Sequence, residues 1–320
     1  MSRLQVDDLR PTGRTGLGPA TLPAPAGQFG WPKLAAVAIL LGAALVWAYW
    51  PTIGKMVAAW SKQADYSHGF LVPPLAVFVL WVRREQFPGV RLGFAWPGLV
   101  LLGASVGLRF LSGLWYMDAL DGFSMLLWLA GTVWLLLGGR VLWWSLPAIA
   151  FLAFMIPLPF RVERWLSYPL QGIATRISSW VLQCLWQPAL AEGHTIFLGP
   201  HQLEVAEACS GLRIFVGVFA LAYLYAVLVR QSWWERTLLL LCTIPVALVA
   251  NATRIVVTGI LYQERSEEAG KKFSHDIAGW GMILLAAGLF GLLLWLLRKL
   301  FPQEEVADIR DVLKRERPSS

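Results

Sequence analysis

Residues 244–261 read IPVALVANATRIVVTGIL, an apolar run with Asn251 and Arg254 set into its middle. About 20 mostly apolar residues suffice for a helix to cross a bilayer, and 237–262 meets that requirement. Asn251 and Arg254 are three apart, so they share one helical face. Counted back from Tyr262, Arg254 is about eight residues into the span, or ~12 Å at ~1.5 Å per residue. An arginine at that depth is costly unless it faces the bundle interior or a wet cavity, which makes it a functional candidate. The plainer alternative is an arginine snorkelling to the outer headgroups.

The rest of the chain is of the same kind. Of its 320 residues 57% are hydrophobic and 15% charged, whereas soluble domains average about 25% charged. With 18 tryptophans and a mean hydropathy of +0.57, the composition predicts an all-α polytopic membrane protein with about eight transmembrane helices. The expected spans are 34–50, 68–82, 94–111, 119–138, 141–158, 211–230, 237–262 and 277–298. Trp47, Trp50, Trp96, Trp115, Trp143, Trp144, Trp233, Trp234 and Trp280 fall near their ends, as interfacial belts do. Residues 1–33 read as a flexible cytoplasmic tail, 34–298 as the transmembrane domain and 299–320 as a charged cytoplasmic tail. The first apolar run lies too far in for an ordinary signal peptide and is expected to be a retained anchor.

The net charge of +7 is accounted for by basic cytoplasmic loops against a lipid bilayer and calls for no nucleic acid. Three cysteines without paired spacing give neither a disulfide framework nor a zinc ribbon. Cys184 and Cys242 are expected to pack rather than react.

Between the fifth and sixth spans the pattern changes. Residues 161–186, RVERWLSYPLQGIATRISSWVLQCLW, alternate with a helical period and predict an amphipathic helix lying at the outer interface. Residues 194–205, HTIFLGPHQLEV, are two short alternating runs about Gly199-Pro200 and predict a small hairpin.

Basic residues bias the N-terminus and C-terminal tail to the inside, and eight spans then put three chemically distinct residues at one level of the outer face. Cys209 precedes the sixth span, Arg254 lies in the outer part of the seventh, and His275 precedes the eighth. A helix N-terminus and a nearby cation favour thiolate. His275 would move the proton, and Arg254 would stabilise thiolate or oxyanion. Together they suit acyl transfer through a thioester, with no cofactor. Two rival readings remain at this point. His68, His194, His201, His275, Glu204 and Glu207 share the predicted outer face, where a metal-dependent protease would need ligands, although HExxH spacing is absent. A non-enzymatic transporter or export-complex component would also place polar residues along a path.

Taken together, EVAEACSGLR (204–213), IPVALVANATRIVVTGIL and FSHDIAGW (273–280) closely resemble the exosortase family of bacterial membrane sortase analogues, and DYSHGFLVPPL (65–75) and IPLPF (156–160) fit the same pattern. The resemblance covers roughly residues 30–297. It implies that Cys209 is the nucleophile and that Arg254 and His275 are its partners. It further implies cleavage of a PEP-CTERM sorting signal (a Pro-Glu-Pro motif, a transmembrane helix and a basic cluster) at the C-terminus of exported proteins. The expected setting is the inner membrane of exopolysaccharide-producing Gram-negative bacteria, with the site on the periplasmic side.

Supporting roles follow for neighbours of these motifs. Tyr66 and His68, with Ser67, would line the cleft or form a polar turn. Glu207 and Arg213 flank the cysteine, and Arg213 would assist Arg254 or contact headgroups. Ser210 and Gly211 suit a tight helix start. Asn251 would orient Arg254 or hydrogen-bond between helices. Asp276 adjoins His275 but does not face it on a helix.

Overall fold

The computed structural model describes residues 31–90, 94–205, 211–229, 231–264 and 278–300. Among them run ten α-helices: α1 (Trp31–Ala48), α2 (Trp50–Lys62), α3 (Val72–Val82), α4 (Pro97–Trp115), α5 (Asp118–Leu137), α6 (Gly139–Phe151), α7 (Phe160–Cys184), α8 (Leu212–Leu228), α9 (Trp233–Glu264) and α10 (Ala278–Leu300). A three-stranded antiparallel meander joins α7 to α8: β1 (Ala189–Glu192), β2 (Thr195–Leu198) and β3 (His201–Glu204). The hairpin expected about Gly199-Pro200 is β2–β3, in register Leu198 to His201, and β1 extends it by one strand. Gly193 and Gly199 make its two turns with φ of 61° and 58°, where a side chain would be strained.

All eight apolar segments are at least partly helical, but helix lengths do not give eight full spans. Among the described residues three helices, α4, α5 and α9, are long and apolar enough to cross a membrane, and the count reaches five if each of two bent pairs is one span. The α1–α2 pair turns by 81° and the α6–α7 pair by 85°. Proline accounts for both breaks. Pro51 stands in the first turn of α2 and lacks the N–H that would continue α1. Pro157 and Pro159 hold the residues before them extended, and Ile156 has ψ of 119°. With 11 and 17 residues, α3 and α8 reach only about 17 and 26 Å, short of the ~30 Å hydrocarbon thickness.

Small residues set the closest helix contacts. Gly98, Ser105 and Ser112 recur every seven residues on the buried face of α4, which presses on α5. A Cβ at Gly98 would stand 2.5 Å from the Leu135 nitrogen and 2.7 Å from the Gly131 oxygen. Such close approach is how apolar helices gain attraction where lipid offers no hydrophobic driving force. The α1–α2 elbow is tied to the same pair. Tyr49 Oη and Ser105 Oγ are 2.9 Å apart, and Thr52 donates to Asp121. Arg109 donates to the Ala48 carbonyl at 2.9 Å and stacks over the Tyr49 ring.

Helix α7 is amphipathic, but with its polar side inward. Ser167, Gln171, Thr175, Ser178 and Ser179 are buried, while Trp165, Tyr168, Ile173, Ile177 and Trp180 are exposed. Its second half packs along α9 and the sheet around Leu182, Ile196, Leu198, Val205, Ile255 and Tyr262. Cys184, expected to pack, is exposed at the end of α7, and Cys242 is half-buried.

At 32 residues, α9 is about 48 Å long and exceeds the ~30 Å a bilayer core requires. Trp233 and Trp234 stack on each other, exposed, at its start. About 20 residues from there reach Ala252. The remaining turns carry the sheet, so Arg254 lies at the boundary between the apolar part of α9 and its sheet-covered end.

Candidate active site

The site grows from the start of α8. Gly211 adopts a left-handed conformation, φ 67° and ψ −14°, and no side chain caps the helix among the described residues. The start of α8 carries the positive end of the helix dipole, which favours an anion there. Phe215 N–H donates to the Gly211 carbonyl at 2.9 Å and closes the first turn.

Gly211 lies against α9. A Cβ at this position would stand 3.0 Å from Asn251 Nδ2 and 3.2 Å from its Cγ. Asn251 is 2% exposed, so its amide is wedged between the helix start and the bundle. Arg254 follows three residues later on the same helix and is half-buried. From the far side, Ser178 Oγ of α7 donates to the Ala252 carbonyl at 3.3 Å. At Gly259, α7 and β2 close in: Leu182 and Leu198 would come within 3.2 and 3.3 Å of a Cβ. The end of α9 that bears Asn251 and Arg254 is thus held by α7, α8 and the sheet.

Cys209, Glu207, Ser210 and His275 lie outside the described residues. Gly211 stands two residues after Cys209, and α10 begins three residues after His275. Arg213 is the second residue of α8. Among the described residues the structure brings Gly211 against Asn251, one turn before Arg254.

Tyr66 and His68 lie on an element that packs against α2, α3 and α8. They belong to a 3-10 helix, Ala64–Phe70, docked on the α6–α7 elbow. The His68 Nε2–H donates to the Phe154 carbonyl at 3.0 Å, which fixes the proton on that nitrogen. Tyr66 Oη donates to Glu163 at 3.2 Å and accepts from the Leu158 N–H at 3.3 Å. Beside them Trp60 Nε1–H donates to the Met155 carbonyl at 2.8 Å, and its ring covers Gly69, where a Cβ would be 2.3 Å away. The 65–75 and 156–160 motifs thus fit into each other. Glu163, in the first turn of α7, went unnoticed in the sequence, where its only signal was a lone carboxylate in an amphipathic string.

His194 and His201 each meet a different aromatic ring. The His194 ring meets Tyr168 edge-on at 4.3 Å, and His201 meets Tyr262 at 6.3 Å. Among the described residues no three His, Cys, Asp or Glu side chains converge as metal ligands would.

Residues 60–296 match the family of transmembrane exosortases, a stretch that contains every candidate residue named above. The chain belongs to this transmembrane exosortase family. No curated protein and no solved structure matches it.

Proposed function

We propose that this protein is a membrane cysteine peptidase or transpeptidase that cleaves a C-terminal sorting signal from exported proteins. The observation that carries the reading is the contact of Gly211 with Asn251. It sets the helix face of Arg254 beside the start of α8, where the dipole favours an anion two residues after a cysteine.

In this reading the Cys209 thiolate attacks the scissile carbonyl carbon, and the carbonyl electrons move onto oxygen. Arg254 stabilises the resulting oxyanion. Collapse of the tetrahedral intermediate breaks the C–N bond, and His275, protonated at the thiol's expense, delivers its proton to the leaving amine. A thioester remains on Cys209. Water resolves it to a carboxylic acid, or an acceptor amine to a new amide, each giving its proton back to His275. Asn251 positions rather than reacts: it holds the α8 turn and the Arg254 face together. Tyr66 and His68 keep the α6–α7 elbow in place.

The substrate in this reading carries a Pro-Glu-Pro motif, a transmembrane helix and a basic cluster. The protein sits in the bacterial inner membrane, with the sheet-covered end of α9 on the periplasmic side. The test is co-expression of a tagged substrate bearing that signal with wild type and with Cys209→Ala, with and without a chelator. Processing by wild type alone, indifferent to chelation, is expected. Normal processing by Cys209→Ala would overturn the mechanism.

A further inference from the structure

A groove of about 990 Å³ opens between the first half of α7, Phe215 of α8 and Ile244 of α9. Its wall is largely apolar, with Trp165, Pro169 and Leu170 facing Phe215 and Ile244, and its charged lining among the described residues is Arg161 and Arg164. Phe215 is one turn beyond Gly211, to whose carbonyl it is hydrogen-bonded. Ile244 precedes Asn251 by seven residues, about two turns. The groove therefore lies along the two helices that make that contact, one turn from Gly211 and about two turns from Asn251.

Resting on the peptidase reading, we propose that this groove is the lateral seat of the substrate's apolar helix, and that Arg161 and Arg164 receive an acidic residue beside that helix. The occupant must have an apolar body and a negative end, because the wall is apolar and its charge is all positive. An anionic phospholipid shares that chemistry. Position favours the peptide: exposed apolar surface of the kind lipid covers is spread over α4 and α10 as well, whereas this groove reaches α8 one turn from Gly211. Its α7 wall is also held firm, since Tyr66 clamps Glu163, which stands between Arg161 and Arg164 in the first turns of α7. A helix seated there would lead its outer end past the start of α8. A fixed wall of this kind orients a substrate before reaction.

The experiment places a benzophenone amino acid at Trp165 or Ile244 in full-length Cys209→Ala protein, in membranes containing a tagged substrate with the sorting signal. Val106, exposed on α4, is the control position. Crosslinks to the substrate are expected at 165 and 244 and not at 106. In the active protein, Arg161→Glu with Arg164→Glu should slow processing about tenfold, the scale of charge-assisted pairing. Exchanging the substrate's acidic residue for Lys should restore it. Crosslinks only to lipid, or equal crosslinks at 106, overturn the groove whether or not the wild type cleaves. Substrate crosslinks without cleavage by the wild type would uphold the groove and remove the peptidase reading.

Discussion

The backbone of Gly211 lies against the side-chain amide of Asn251, so closely that a methyl group at 211 would stand 3.0 Å from Nδ2. Two sequence motifs, one ending the chain's approach to α8 and the other in the middle of α9, are thereby joined into one structural unit. Counting spans gave the same association only through parity, which needs an even total; the contact does not depend on the count.

Gly211→Ala should therefore be damaging for two reasons. A left-handed alanine costs about 1–2 kcal/mol, and its Cβ collides with an amide that is buried and wedged. Processing should fall steeply while membrane insertion persists. Adding Asn251→Ala relieves the collision but not the backbone strain, so the double variant should recover only in part. Wild-type processing by Gly211→Ala would show that the turn is not part of the site.

Arg254→Lys should lose at least about 100-fold in processing rate if a forked guanidinium meets an oxyanion, because a lysine presents a point charge instead. His275→Ala should fall by a similar factor, about 10²–10⁴ for a positioned acid–base group. Single-turnover assays with the tagged substrate read both. Retention of rate by Arg254→Lys would leave the residue a purely structural role.

Tyr66→Phe removes the hydroxyl that serves both Glu163 and the Leu158 N–H. Each loss of a hydrogen-bond partner at a partly buried group costs about 1–3 kcal/mol. The expected outcome is a lower unfolding temperature in detergent and less folded protein, with unchanged substrate affinity in what remains. A change in affinity at unchanged stability would return Tyr66 to the substrate-binding role expected from its motif.

Gly98→Val tests the α4–α5 seam. A side chain there meets backbone at 2.5 Å, which no rotamer change relieves, so the two helices must part. Overpacking on this scale costs about 1–3 kcal/mol or more. Gly103→Val on the same helix, where no atom lies within 4 Å of a Cβ, should be tolerated. Equal thermal stability of the two variants would contradict the packing.

Much of this was legible in the residues alone. Hydropathy marks each apolar segment because transfer from water to lipid is summed along a local stretch of chain. The prolines at 51, 157 and 159 signal breaks, yet a missing N–H gives no angle, and the 81° and 85° turns follow from what the segments pack against. The amphipathic period of 161–186 was plain, but not which side is buried. In a membrane setting aromatic residues are stable facing outward, and α7 turns its serines and threonines inward, where they allow close packing on α9.

The sequence by itself determined the membrane class, the family motifs and the chemistry available to Cys209, Arg254 and His275, because composition and residue type are local properties. Only the tertiary structure decided which of the described motif residues meet. It tied Asn251 to the turn after Cys209, sent Tyr66 and His68 to an elbow, and paired Tyr66 with Glu163, 97 positions away. Such contacts depend on how helices pack in three dimensions, and no local pattern along the chain encodes them.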